Sequence, residues 1–178
     1  MRTHLHTHGG FSYIELVIVV AIIGILAGIS APSFLRSKEN ETLNAASKLI
    51  TSQLEQTRRT AMQKSSPCYT NIQTSNNSLQ TFCADEPTSS SELILGEYTK
   101  ELSEISLSII SSKPCLFNAV SYPNCIIFTP RGTITAGIDL QIKLDGSAHG
   151  RCLTIWKPIG LIRSGRLTSN KCIYTTSY

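Results

Sequence analysis

The twenty residues from Leu16 to Leu35 carry no charge, and one acid, Glu15, sits at their N-terminal mouth. As a helix that run is about 30 Å long, enough to cross the hydrocarbon core of a bilayer. A carboxylate at the mouth of such a segment costs a few kcal/mol unless it is paired, which makes Glu15 a functional candidate by default. Upstream lies a polar stretch, Met1 to Gly10, with Arg2, His4, His6 and His8 and no acid; Phe11 follows the glycine. Arg2 on an acid-free flank predicts that this end faces the cytoplasm. Two plainer readings compete: an ordinary signal anchor, or a secretory signal peptide with Ala31 near its cut site. The second predicts charge before the apolar core rather than within it, and a better small-residue cleavage pattern. The alternating histidines could mark a metal site, or simply a solvated basic flank.

A chain of 178 residues has room for one anchoring helix and one globular domain of moderate size. The formal charge of +4 says little about partners, but its distribution says more. Asp85, Glu86, Glu92, Glu97, Glu101 and Glu104 crowd the middle, whereas no acid follows Asp145. Arg151, Lys157, Arg163, Arg166 and Lys171 make that last stretch basic.

Six cysteines, at 68, 83, 115, 125, 152 and 172, all follow the apolar run, and no two form a CxxC. Zinc-ribbon and thioredoxin-like chemistry therefore find no support. An even count beyond a membrane anchor predicts disulfides in an oxidising compartment. Six cysteines allow fifteen connectivities. Nearest-neighbour pairing, Cys68–Cys83, Cys115–Cys125 and Cys152–Cys172, is the expectation because each pair brackets one hairpin. Each such loop would stabilise by roughly 2–3 kcal/mol.

Past the apolar run, Ser37 to Lys64 contains neither Gly nor Pro. Leu43, Ala46, Ile50, Leu54 and Ala61 recur at helical spacing. The helix therefore continues to about Lys64 and ends at Ser65–Ser66–Pro67. Pro32 should kink it by removing one backbone hydrogen bond. The remainder reads as β structure. Cys68–Thr74 and Leu79–Cys83 flank a polar turn, and Ile105, Leu107 and Ile109 alternate with serines. Cys125–Thr129, Thr133–Thr135, Ile138–Leu144, Leu153 with Ile155, Ile159–Ile162 and Lys171–Thr175 follow as strands. Short strands at regular spacing argue for antiparallel sheets. The fold class is α+β, a long N-terminal helix packed on an antiparallel β-sheet head. Its first half is transmembrane and its second amphipathic. The organisation is 1–10 leader, 11–35 transmembrane helix, 36–66 amphipathic continuation and 67–178 β-rich head.

Catalytic motifs are absent from the sequence of the head. It has one histidine, His149, and no GxSxG, HExxH or glycine-rich phosphate loop. The chain reads as no enzyme, with no cofactor and no metal.

GFSYIELVIVVAIIGILAGISAPSF, Gly10 to Phe34, resembles the class III leader and N-terminal helix of type IV pilins and pseudopilins. LITSQLEQTRRTAMQKSSP (Leu49–Pro67), FTPRGTITAG (Phe128–Gly137) and CLTIWKPIGLIRSGR (Cys152–Arg166) resemble minor subunits of GspH/FimT type. The resemblance implies cleavage between Gly10 and Phe11 by a prepilin peptidase and N-methylation of Phe11. It implies a bacterial inner-membrane protein with a periplasmic head, built into a type IV pilus or a type II secretion filament. Its partners would be other pilins or pseudopilins, met through the N-terminal helix. Glu15 would pair with the amino terminus of a neighbouring subunit's Phe11, and Gly24, Ala27 and Gly28 would permit close helix approach. Some FimT-type proteins bind DNA in natural transformation through a G-R-x-R motif. Gly160–Leu–Ile–Arg163 keeps one arginine of it and Gly165–Arg–Leu–Thr168 the other, so neither frame is complete. Arg163, Arg166 and Lys171 are the residues that would meet DNA phosphates, an alternative role to that of a structural subunit.

Overall fold

The computed structural model describes residues 12–86, 90–98, 102, 104–111, 114–117, 119–135, 138–144, 149–168 and 171–174, without the side chains of 30–32, 98, 111 and 144. The chain divides into two compact units, Met1–Glu39 and Asn40–Tyr178. One helix, α1 (Tyr13–Gln63), runs through the boundary. The predicted leader, Gly10 and Phe11 lie outside the described residues, as does the side chain of Pro32.

In the first unit, the helix presents large apolar side chains to the exterior on every side, from Tyr13 to Leu35. Among the described residues no single helix is long and apolar enough to cross a membrane. The stretches Tyr13–Ile29 and Ser33–Gln63 have that length and composition only together, as a bent pair.

In the second unit the same helix turns amphipathic. Leu43, Ala46, Ile50, Leu54 and Ala61 are buried, joined on that stripe by the small polar side chains of Ser47 and Thr57. The spacings of three and four residues are those that keep side chains on one face. The helix then closes through its last carbonyls. Ser65 takes a left-handed φ of 49°. The N–H of Ser66 donates to the carbonyl of Ala61 at 3.2 Å, and that of Ser65 to Met62 at 3.4 Å. That is the hydrogen-bond pattern of a helix ended by one left-handed residue, with serine where glycine is usual.

Two antiparallel sheets complete the head. The first has the strand order β3 (Ser91–Ile94), β2 (Ser78–Cys83), β1 (Cys68–Gln73), β7 (Cys125–Phe128). The second runs β11 (Lys171–Ile173), β10 (Leu161–Thr168), β9 (Gly150–Trp156), β8 (Ile138–Leu144), β4 (Ile105–Ser111). A short helix, α2 (Leu95–Tyr98), follows β3, and a two-stranded ribbon, β5 (Cys115–Phe117) with β6 (Val120–Tyr122), precedes β7. The helix stripe, Ile72, Leu79, Ile126 and Phe128 of the first sheet, and Ile105, Leu140, Ile142 and Leu153 of the second form one core. Where the stripe meets β1 and β2, the buried hydroxyls of Thr57, Thr70 and Thr81 lie 3.3–3.4 Å from one another. Each buried polar atom there thus has a partner. On the other face of the first sheet, Tyr69, Phe82, Phe117 and Tyr122 pack with ring centroids 4.8–5.3 Å apart.

The structure contains the disulfides Cys68–Cys83, Cys115–Cys125 and Cys152–Cys172. Cys68 and Cys83 are opposite each other on β1 and β2, and Cys115–Cys125 ties the β5–β6 ribbon to β7. The third joins the expected cysteines but brackets three strands rather than one hairpin, passing from β9 to β11 over β10. Gly165 of β10, which pairs with Cys152, makes room for that crossing. A methyl group there would lie 3.0 Å from the Cys172 Sγ and 2.7 Å from the Ile173 carbonyl oxygen.

Two predicted strands are corrected. Thr133–Thr135 contributes only one bridge, Ile134 to Phe128. The turn before it closes on itself, with the Thr129 N–H donating to the Thr133 carbonyl at 2.8 Å. Ile159 and Gly160 belong to a turn, Gly160 with φ of 72° and its N–H on the Trp156 carbonyl at 2.8 Å; the strand starts at Leu161.

Candidate functional site

Two groups of residues remain after the core is accounted for, one in each unit. On the N-terminal half of α1, Glu15 occupies the first turn, where an acid complements the positive end of the helix dipole. Its backbone N–H donates to the Ser12 carbonyl at 3.0 Å. Around it Ile14, Leu16, Val17 and Ile18 are all exposed. Among the described residues nothing lies within 4 Å of the place a methyl would occupy at Gly24 or Gly28. Small residues on an apolar helix leave room for a second helix to come close.

In the head, the basic C-terminal stretch is divided by strand geometry. Side chains alternate across a strand, so Arg163 and Arg166, three apart on β10, point to opposite faces. Arg163 is opposite Thr154 of β9 and shares its face with Trp156. Its guanidinium carbon lies 5.3 Å from the Trp156 ring centroid and 5.8 Å from that of Tyr174, within cation–π range. Tyr174 is itself held there by a hydrogen bond between its hydroxyl and that of Thr154.

Arg166 lies on the face of Leu153 and Ile155, which is the face toward α1, and so by register does Lys171, paired with Thr168. Directly opposite Arg166 on β9 is Arg151. These two arginines border a shallow depression of about 250 Å³ whose other walls include Asn44, Ser47 and Lys48 of α1 and Ser164 of β10. The Nε–H of Arg151 donates to Asn44 Oδ1 at 2.8 Å. Burial first, and the charge of Arg166 second, hold the Arg151 guanidinium below the usual arginine range. It stays charged, since arginine does not lose its proton in proteins. The predicted cationic set is therefore two separate places: Arg163 on one face, Arg166 and Lys171 on the other. Sequence reasoning passed over Arg151 and Lys48 as members of the second.

No family model matches the chain. Over 48 residues it is 52% identical to the type IV major pilin protein PilA of Myxococcus xanthus (strain DK1622), a match covering 25% of this chain and 22% of that protein. The chain thus spans about a fifth of the length of that curated relative. Among solved structures it is similar to the type IV minor pilin FimU of Pseudomonas aeruginosa, at a TM-score of 0.51 and 16% identity, over 70% of this chain and 89% of that one. It is also similar to the minor pseudopilin EpsH of the type 2 secretion system of Vibrio cholerae, at a TM-score of 0.50 and 13% identity, over 68% and 94% of the two chains. The chain has the type IV pilin and pseudopilin fold.

All these relatives are pilins or pseudopilins, and none is an enzyme. Among the described residues no three His, Cys, Asp or Glu side chains come together to hold a metal ion. What the pilin-type fold presents is a pair of surfaces: an apolar helix carrying one acid, and a cationic depression beside the amphipathic continuation of that helix. The two glycines that aligned with the G-R-x-R frame have conformational reasons of their own. Gly160 holds a left-handed turn, and Gly165 lies under a disulfide.

Proposed function

We propose that this chain is a minor pilin or pseudopilin subunit of a type IV pilus or type II secretion filament, assembled through its N-terminal helix. In this reading a prepilin peptidase cuts between Gly10 and Phe11, Phe11 is N-methylated, and the subunit waits in the inner membrane with its head in the periplasm. The observation that carries it is the contrast along α1. One half is exposed and apolar on all sides, with a single acid at its mouth, while the other half buries a stripe in its own head. A helix of the first kind needs lipid or other helices around it.

Glu15 then supplies the register. In a low-dielectric helix bundle, a carboxylate attracts a neighbour's terminal ammonium strongly, and an unpaired charge is heavily penalised. Subunits settle where the pair closes. Glu15→Val is expected to leave membrane insertion intact and to reduce incorporation into filaments at least about tenfold, the effect of about 1.4 kcal/mol of lost pairing. Cross-linking that finds Glu15→Val incorporated as well as the native chain would reject this role.

A second reading makes the chain a DNA-binding subunit in natural transformation, using Arg163, Arg166 and Lys171. The acid-free tail favours it. The division of these three residues between two faces weakens it, because a phosphate backbone is tracked by a row of cations. Salt-dependent DNA binding by the full chain, lost on Arg166→Gln with Lys171→Gln, would advance it over the first.

A further inference from the structure

We propose that Lys48, Arg151 and Arg166 form a socket for a carboxylate on an acidic segment of a neighbouring filament subunit. The inference rests on the reading of the chain as a filament subunit. It starts from a local conflict. Arg151 and Arg166 are directly opposite on adjacent antiparallel strands, and like charges in that position destabilise a sheet. The conflict is compounded by Lys48, which reaches the same depression from α1. Two other cations of the head do have acidic partners. Lys64 Nζ lies 2.7 Å from Glu86 and 3.5 Å from Asp85, and Arg59 pairs with Glu55 at 3.6 Å. Among the described residues that line the depression, none is acidic. Among the described residues, Arg151 has only the neutral Asn44 amide as hydrogen-bond partner.

The lining suits an oxyanion. One Arg151 donor is spent on Asn44, which fixes the guanidinium and leaves four N–H groups. Arg166 adds a second planar fork, Lys48 a point charge, and Ser47 and Ser164 two hydroxyls. Two forks and an ammonium around one depression match a single carboxylate, by the bidentate geometry that guanidinium and carboxylate share. Of the other two cations expected to meet DNA, Lys171 shares this face from β11 and Arg163 does not. The next cation along β10, Arg163, is on the opposite face, within cation–π range of Trp156 and Tyr174. Charge complementarity supplies the partner's chemistry. This head carries exposed acids of its own at Glu92, Glu97 and Glu104, and a neighbour of the same kind offers a like surface. The depression borders α1, the helix through which subunits are proposed to assemble, so a carboxylate entering it would fix one head against the next.

The test uses the full chain in detergent micelles, with hexaglutamate as probe and sodium chloride matched for ionic strength. Hexaglutamate is expected to bind and to raise the melting temperature of the native chain. Arg166→Gln is expected to weaken that binding at least about tenfold. The same variant without probe should melt about 1–3 °C above the native chain, because one member of a like-charge pair is gone. A purely structural Arg166 would instead lower the melting point when replaced. Failure of hexaglutamate to bind, a lower or unchanged melting point for Arg166→Gln, or tighter binding of a DNA oligonucleotide than of hexaglutamate would each overturn the proposal. Filament incorporation separates it from the reading it rests on. Arg166→Gln incorporated like the native chain, with Glu15→Val excluded, removes the socket and keeps the filament subunit. Glu15→Val incorporated normally removes the assembly role and leaves hexaglutamate binding to stand or fall alone.

Discussion

The two halves of α1 share one backbone hydrogen-bonding pattern and meet opposite surroundings. From Leu16 to Ile29 the side chains of Leu16, Ile22 and Ile29 are 57%, 52% and 71% exposed. From Leu43 to Leu54 those of Leu43, Ile50 and Leu54 are 1% exposed or less. The more apolar half is thus the more exposed one. Total apolarity shows that a segment needs cover, and its periodicity shows where the cover is. A stripe at helical spacing has its partner inside the chain. A surface apolar all round has too much to hide for any one sheet, and its partner lies outside.

The sharpest way to break this contrast is to put a charge on the buried stripe. Ile50 is fully buried in the cluster joining both sheets. Ile50→Asp places a carboxylate there without a partner, and the expected loss exceeds about 4 kcal/mol. The head should unfold at or near room temperature, as read from the near-ultraviolet signal of its one tryptophan, Trp156. A native-like melting curve would mean that the stripe is not what holds the helix to the head.

A smaller effect is expected from loosening the surface on which the stripe rests. Cys68 and Cys83 tie the β1–β2 hairpin across 15 residues of sequence, and β1 carries the buried Ile72 and Thr70 toward the helix. Replacing both cysteines by serine removes that constraint from the unfolded chain, at a cost of about 3 kcal/mol. The melting temperature should fall by about 6–12 °C for a unit of this size. Reduction of the native chain should have at least as large an effect, since it opens all three bridges. Equal melting of the native and the double-serine chains would show that the hairpin needs no tie.

Much of this was legible from residue spacing. Leu43, Ala46, Ile50, Leu54 and Ala61 were all picked out by period, and all are buried. Strand Ile138–Leu144 has the bounds expected from its alternation. The short elements were not legible. Strand β3 has four residues with Leu93 as its one buried side chain, and β5 and β6 have three residues each, too few to show a period. The division of the basic tail could have been found. Residues 163 and 166 differ in parity, and in any strand that alone sends them to opposite faces. The pairing of Arg151 with Arg166 could not, because it depends on the register of β9 and β10, which the turn from Trp156 to Gly160 sets. Lys48 falls outside the apolar stripe of the helix, where a charge is ordinarily solvated. Only the packing of that helix beside β9 and β10 brings it to the arginines.

The smallest expected effect sharpens the comparison most. Ile22 is chemically the same residue as Ile50 and sits in the same helix, but half of its surface is exposed. Ile22→Ser removes about as much apolar surface as a polar change at Ile50 would, from a place where the chain itself makes no use of it. The unfolding free energy of the head should therefore change by no more than about 0.5 kcal/mol, the range of surface substitutions away from structural features. The cost should appear only where the missing partner is present. Recovery of the full chain in the membrane fraction, or its cross-linking to neighbouring subunits, should fall while the melting curve stays in place. A drop in head stability on Ile22→Ser comparable to that of a core deletion would mean that the N-terminal half is covered by the chain itself. The distinction between an inward-facing and an outward-facing half of one helix would then be lost.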